Sequence, residues 1–361
     1  MIISGEFRRR ETAQALLEQI HRLAQRRCFR FMEVCGGHTM SIWRCGLPHL
    51  LGGSVELLSG PGCPVCVTPN SYLDRAVALA RNPENVLVTF GDLLRVPGSS
   101  SDLQTERARG GDIRIVYSSR DALDIARAQP GKTIIFLAIG FETTAPTIAA
   151  TIQSARAERL SNFRILSALK TMPQALRIIA SGDHQLDGLM LPGHVSAIIG
   201  SRAFDFLAQE YRIRGVVSGF EPTDILQSIL MLIRQMREER CVVEIQYSRC
   251  VRESGNLRAQ RIMEQVFDTG DAEWRGLGRI PASGLHLKEE YRGFDAESLQ
   301  VDVETTREHP GCSCGEVIRG ALKPEECALF GVACTPDHPI GACMVSEEGA
   351  CAAHYKYRAS S

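Results

Sequence analysis

Thr133-Ile134-Ile135-Phe136-Leu137-Ala138-Ile139-Gly140-Phe141-Glu142-Thr143-Thr144 is the stretch on which the fold turns. Seven residues from Thr133 to Ile139 run almost without a polar side chain, then Gly-Phe-Glu breaks the run and Thr opens a helical pattern over Thr147–Ala157. An apolar run this short, bounded by glycine and rich in β-branched residues, predicts a strand buried on both faces, as in a parallel sheet. Ser218-Gly219-Phe220-Glu221-Pro222-Thr223 repeats the same turn after a second strand. Strand-to-helix turns of related character stand at Val34-Cys35-Gly36-Gly37-His38, at Ser59-Gly60-Pro61-Gly62-Cys63 and at Leu191-Pro192-Gly193-His194. In each the unusual residues fall at the carboxyl end of a strand, the rim where open α/β sheets bind ligands.

Outward from there, short apolar runs alternate with helical patterns. Strands are predicted at Phe31–Val34, Val55–Leu58, Val86–Phe90, Ile113–Tyr117, Arg164–Leu169, Gly188–Leu191 and Gly215–Ser218. Helices are predicted at Ser71–Ala80, Pro173–Ala180, Asp224–Glu239 and Leu257–Phe267, with a basic amphipathic helix over residues 7–27. Arg95–Gly111 reads as a loop and Gln129-Pro130-Gly131 as a boundary. The expected organisation is an N-terminal helix (1–30) packed on the third domain, an α/β domain at 31–130, a second at 131–240 and a smaller C-terminal domain at 241–361. The two α/β units would turn their polar rims toward one cleft.

The chain has 361 residues, and its 41 basic and 42 acidic side chains leave a net charge of −1. That balance, with only 6% aromatic residues, lacks the footprint of a nucleic-acid binder. Met1–Arg10 carries no apolar signal, and no apolar run approaches the roughly 20 residues a membrane span requires. The expectation is a soluble, cytoplasmic protein whose thiols stay reduced. Neither a G-x-x-x-x-G-K-[ST] loop nor a G-x-G-x-x-G loop is present, which disfavours a nucleotide enzyme.

Against that background the 13 cysteines need a chemical reason. Five lie between Cys28 and Cys66, none between Val67 and Arg240, and eight from Cys241 onward, six of them within Cys312–Cys351. Two separate thiol sites follow. In the tail, Cys312, Cys327, Cys334 and Cys351, with Cys314 and Cys343 interleaved, fit an iron–sulfur cluster or a zinc site, and the irregular spacing suits a cluster better. At the front, Cys63-Pro64-Val65-Cys66 is a C-x-x-C whose thiols a helix N-terminus would acidify, for dithiol exchange or metal ligation. Cys35 and His38 on a Gly-Gly turn could share a metal, or His38 could activate the thiol. Glu142 and Glu221 could cap helices, His194 stands at a helix start, and Asp92 is either a cleft carboxylate or a turn residue. Cys28, Cys45, Cys241 and Cys250 read as ordinary thiols. His21, His49, His184, His286, His309 and His338 have no partner spacing.

Cys35-Gly36-Gly37-His38-Thr39, Gly60-Pro61-Gly62-Cys63-Pro64-Val65-Cys66, Gly140-Phe141-Glu142-Thr143-Thr144 and Pro192-Gly193-His194-Val195-Ser196 occur together and in this order. With the tail from Cys312 to Cys351, they make the chain resemble the HypD family of hydrogenase maturation factors over about Phe31–Tyr357. The resemblance implies two similar Rossmann-like α/β domains facing a cleft and a Cys-rich iron–sulfur domain. It implies a scaffold and electron source for assembling the iron centre of nickel–iron hydrogenases, an iron with two cyanides and one carbon monoxide. By it, Cys35 would hold that iron with His38 near, and Cys63 and Cys66 would be the cleft dithiol. Cys312, Cys327, Cys334 and Cys351 would hold a 4Fe–4S cluster beside a redox pair, Cys314 and Cys343. The implied partners are a HypC-type small chaperone and a HypE-type cyanide donor. The family usually carries a second His where this chain has Met40, and often an aromatic where it has Cys45. An iron–sulfur thiol/disulfide oxidoreductase and a zinc-stabilised binding module are the alternative readings.

Overall fold

The structure, a computed structural model, describes residues 9–25, 27–182 and 186–358. Residues 7, 8 and 26 of the expected first helix, and His184, lie outside them. Among the described residues eleven strands occur in chain order: β1 (Phe29–Glu33), β2 (Val55–Ser59), β3 (Asn85–Thr89), β4 (Ile113–Ile115), β5 (Thr133–Gly140), β6 (Phe163–Leu169), β7 (Gly188–Pro192), β8 (Arg214–Ser218), β9 (Val243–Ile245), β10 (Phe267–Trp274) and β11 (Gly278–Leu287). They form one five-stranded sheet, β2-β1-β7-β8-β9, one four-stranded sheet, β4-β3-β5-β6, and the hairpin β10-β11. Every pairing inside the two larger sheets is parallel. This is the mixed α/β architecture expected, with Rossmann-like parallel sheets.

The apolar run that decided the reading behaves as a doubly buried strand must. Along β5, Ile134, Phe136 and Ala138 enter one core with Ile148 and Ile152 of the helix Ala145–Ala157. Ile135, Leu137 and Ile139 enter another with Leu166, Leu176 and Leu87. Period-two alternation therefore serves two apolar layers, and no position is left for a polar residue. Full burial of each such side chain contributes roughly 1.5–3 kcal/mol.

The sheets do not follow the linear division expected at 131. β5 begins past that boundary yet pairs with β3, and β7 and β8 return to β1. Sequence carries no marker for this: the four-stranded sheet is built from the middle of the chain and the five-stranded one from both flanks. The first helix, Arg10–Ala24, also differs from expectation. Its Leu16, Ile20 and Ala24 pack with Ile225, Ile229 and Ile233 of the helix Pro222–Arg237. Arg237 donates to the carbonyls of Leu23 and Ala24, so this helix covers the five-stranded sheet rather than the tail.

Two further segments depart from the sequence reading. Arg95–Gly111 contains a helix, Leu103–Ala108, whose N-terminus Asp102 caps by accepting the Thr105 N–H at 2.6 Å. The Gly-rich stretch after Val266 is the β10-β11 hairpin, and a register shift between Gly270 and Ala272 blurs its alternation. Among the described residues no helix is long and apolar enough to cross a membrane.

Candidate thiol site

β1 ends at Glu33, and the helix Gly36–Arg44 begins three residues later, with Cys35 as its N-cap in extended conformation. Beside it, β2 ends at Ser59 and the chain turns through Gly60–Val67. The two turns are bound together. Gly60 N–H donates to Glu33 O at 2.8 Å, and Gly36 N–H to Gly62 O at 3.0 Å. Gly62 lies so close that a Cβ there would stand 2.2 Å from the Cys35 nitrogen. Only glycine admits this approach, and it places the C-x-x-C turn directly against the backbone of Cys35.

Cys63 and Cys66, both buried, are joined by a disulfide. The helix predicted at Ser71–Ala80 runs from Asn70 to Ala80, so its N-terminus does not fall on this pair, and the cysteines occupy a single turn closed by Val67 N–H donating to Cys63 O at 3.2 Å. The helix N-terminus belongs to Cys35, whose sulfur faces the Gly37 and His38 N–H groups. Those dipoles lose the contest. Burial, and then the charge of Glu348, push the half-buried Cys35 thiol up to about 12.

Two carboxyl groups here escaped the sequence reading. Glu33, 2% exposed, accepts the Cys35 N–H at 3.1 Å and the Thr39 hydroxyl. Burial raises it to about 8, outweighing those hydrogen bonds. Glu348, from the tail, packs on Gly36, and burial followed by the charge of Asp92 raises it too. The polar residue Glu33 inside the otherwise apolar run Phe31–Val34 was the available signal for the first. Glu348 had none, because it comes from more than 300 residues away in sequence. Asp92, in a short turn of helix after β3, is exposed and faces Glu348.

His38 and His194 meet through a third ring. Phe220, from the second Gly-Phe-Glu turn, stacks on His38 at 4.7 Å and on His194 at 3.9 Å. Burial lowers His38 to about 4 and lowers His194 as well. Glu142 stands apart in the four-stranded sheet, where its Oε1 accepts the Met172 N–H at 2.9 Å and its Oε2 is buried without a partner. Burial raises Glu142 to about 7. Glu221 builds a capping box with Asp224 at the start of Pro222–Arg237, the role sequence allowed it.

In the tail, Cys312, Cys314, Cys327, Cys334, Cys343 and Cys351 line one small pocket with a free volume of about 20 Å³. Cys314 and Cys343 are unbonded, with sulfurs 2.8 Å apart. Among the described residues no three His, Cys, Asp or Glu side chains gather as a single metal ion needs. Thiols are the donor type that both zinc sites and iron–sulfur clusters take. Arg275 joins this region to the front turn. Its N–H donates to Val67 O and its Nε to Thr68 O, both at 2.9 Å, and its guanidinium reaches Asn70. Its charge also falls on Cys314, and the next residue, Gly276, abuts Gly315. His354, absent from the sequence reading, contacts Trp43 at 3.7 Å and Glu325 at 2.8 Å.

A parallel-sheet rim with a half-buried free thiol, a buried disulfide against its backbone and a six-cysteine tail defines a class of thiol-bearing α/β proteins. The chain belongs to the HypD family of hydrogenase maturation factors: the family model described as "Hydrogenase formation hypA family" matches residues 11–358. It is similar to hydrogenase maturation factor HypD2 of Bradyrhizobium diazoefficiens, 46% identical over 99% of this chain and 97% of that protein. It is 45% identical to HypD of Rhodobacter capsulatus (99% and 98% covered) and 44% identical to HypD of Escherichia coli (98% and 97%).

Proposed function

We propose that this hydrogenase maturation factor is the cytoplasmic scaffold on which an iron carrying two cyanides and one carbon monoxide is put together for nickel–iron hydrogenases. The iron is the cargo, and Cys35 is its anchor. The observation that carries this reading is the Gly62 contact, which sets a disulfide-bonded C-x-x-C turn against the backbone of a free, N-capping cysteine. Thiolate is a soft donor matched to an iron with carbonyl and cyanide ligands. The Cys35 thiol ordinarily keeps its proton, so iron must displace it, as metal binding to thiols generally does. Glu33 orients the loop by gripping the Cys35 N–H and Thr39. Reduced, Cys63 and Cys66 hold two protons and the two electrons released when their bond re-forms.

Cys312, Cys327, Cys334 and Cys351 fit a resident 4Fe–4S cluster, with Cys314 and Cys343 as an adjoining redox pair. Such a cluster supplies single electrons when bound. Arg275 braces the front turn against this region. The two α/β units and the Cys-rich tail would act as three domains around one cleft, with a HypC-type chaperone sharing the iron and a HypE-type protein supplying cyanide. Neither nucleic acid nor a membrane is a partner.

Infrared spectroscopy of the chain co-produced with its small chaperone tests the reading. Cyanide and carbon monoxide bands that vanish in Cys35→Ala are expected. Bands unchanged in that variant would overturn the anchor. Cys63→Ser should keep the cluster's absorbance and stop maturation. The disulfide also favours a second reading, an iron–sulfur-dependent thiol/disulfide oxidoreductase. Turnover of a disulfide substrate by a chain that never shows those bands would select it.

A further inference from the structure

His38 is wholly buried, yet only one of its ring nitrogens has a partner. Nε2 lies 3.2 Å from the Ser218 carbonyl oxygen. A carbonyl only accepts, so Nε2 carries the hydrogen. With the hydrogen on Nε2, Nδ1 is a bare lone pair, one of four buried side-chain atoms among the described residues without a hydrogen-bond partner. Leaving a buried polar atom unpaired is unfavourable, so the fold must impose the arrangement.

Phe220 supplies the constraint. Its ring lies between both imidazoles, at 27° to His38 and 21° to His194. Room for it exists because Gly37 and Gly193 lack side chains; a Cβ at either would come within 3.1 or 3.2 Å of the ring. Tyr247 meets Phe220 edge-on at 5.8 Å, and the Ser41 hydroxyl donates to the Phe220 carbonyl at 2.6 Å. The second Gly-Phe-Glu turn is thereby fastened to the helix that Cys35 caps, and Ser218 and Phe220 come from the same short segment.

We propose that Phe220 is a positioning residue: wedged between two imidazoles, it fixes His38 as the Nε2–H tautomer and keeps Nδ1 as the acceptor for a hydrogen-bond donor arriving at the Cys35–His38 loop. This deepens the scaffold reading, and its test needs neither iron nor maturation activity, so the two can fail separately. The probe is the metal-free full chain labelled with ¹⁵N-histidine, with the His38 signals assigned by their loss in His38→Gln. Long-range ¹H–¹⁵N spectra should show a protonated Nε2 and an unprotonated Nδ1. Phe220→Leu removes the ring but keeps apolar bulk, and should move both nitrogens toward tautomer-averaged positions. Phe220→Tyr should restore the wild-type pattern. A wild-type His38 protonated on Nδ1 overturns the proposal even if Phe220→Leu does not fold, and a folded Phe220→Leu with unaltered His38 signals overturns the role of Phe220.

Discussion

Gly140-Phe141-Glu142 and Gly219-Phe220-Glu221 are the same three residues after the same kind of strand, put to different uses. Phe141 is 4% exposed and stacks on Trp274 at 5.8 Å, fastening the four-stranded sheet to the β10-β11 hairpin. Phe220 is half-buried and lies between two histidines. Glu142 reaches across to the N-terminus of another helix, Met172–Ser181, and leaves one oxygen unsatisfied, whereas Glu221 caps the helix it begins. A local motif dictates the turn. What the turn does depends on what the rest of the chain brings to it.

The contrast can be broken most severely at Phe141. Phe141→Ala should cost about 3–5 kcal/mol, the range for emptying a packed aromatic site, measured by denaturant unfolding. A loss under about 1 kcal/mol would mean that the hairpin is not anchored there.

Next is the pH dependence of Glu142. Its carboxyl, raised to about 7 in the folded chain against an ordinary 4.5, keeps its proton longer folded than unfolded. The stability it contributes is therefore full below about pH 4.5 and lost as pH climbs through 7. Glu142→Gln should flatten that decline by on the order of 2–3 kcal/mol and be the more stable protein under alkaline conditions. Glu33, raised to about 8, keeps a residual slope of the same sign. Superimposable pH–stability curves for variant and wild type would show that Glu142 ionises normally.

Glu221→Ala should cost about 1 kcal/mol in denaturant unfolding, as lost caps do. Phe220→Leu should also be mild, below about 1.5 kcal/mol in stability, with its effect concentrated on His38. If instead it unfolds the chain as Phe141→Ala does, the two turns are alike and the distinction drawn between them fails.

The strands of both large sheets, apart from β9, were legible because apolar runs ending in glycine-rich turns have few other structural solutions. The hairpin was not, since its bulge and exposed face dilute the period-two signal. Nor was β9, three half-buried residues long. At the site, Cys35, His38, Cys63 and Cys66 were legible as chemistry-bearing types on tight turns. Their mutual arrangement depends on Gly62, Phe220 and Glu348, which reach the site by long-range packing that no local pattern records. The helix dipole was assigned to the wrong cysteine because a strand-to-helix turn in sequence does not say where the first helical hydrogen bond forms.

The interleaving of the sheets also sets an order of events. β3 to β6 lie between residues 85 and 169 and can pair as soon as that segment has been synthesised. β1 and β2 must wait for β7 and β8, more than 120 residues downstream of β2, before their sheet acquires its central strands. Contacts of such separation form late, because the loop must close before the pairing repays it. The thiols of Cys35, Cys63 and Cys66 therefore leave the ribosome before the strands that complete their sheet. A newborn chain carries these thiols uncovered while the inserted sheet folds, so they meet the surrounding redox buffer before the folded site can shield them.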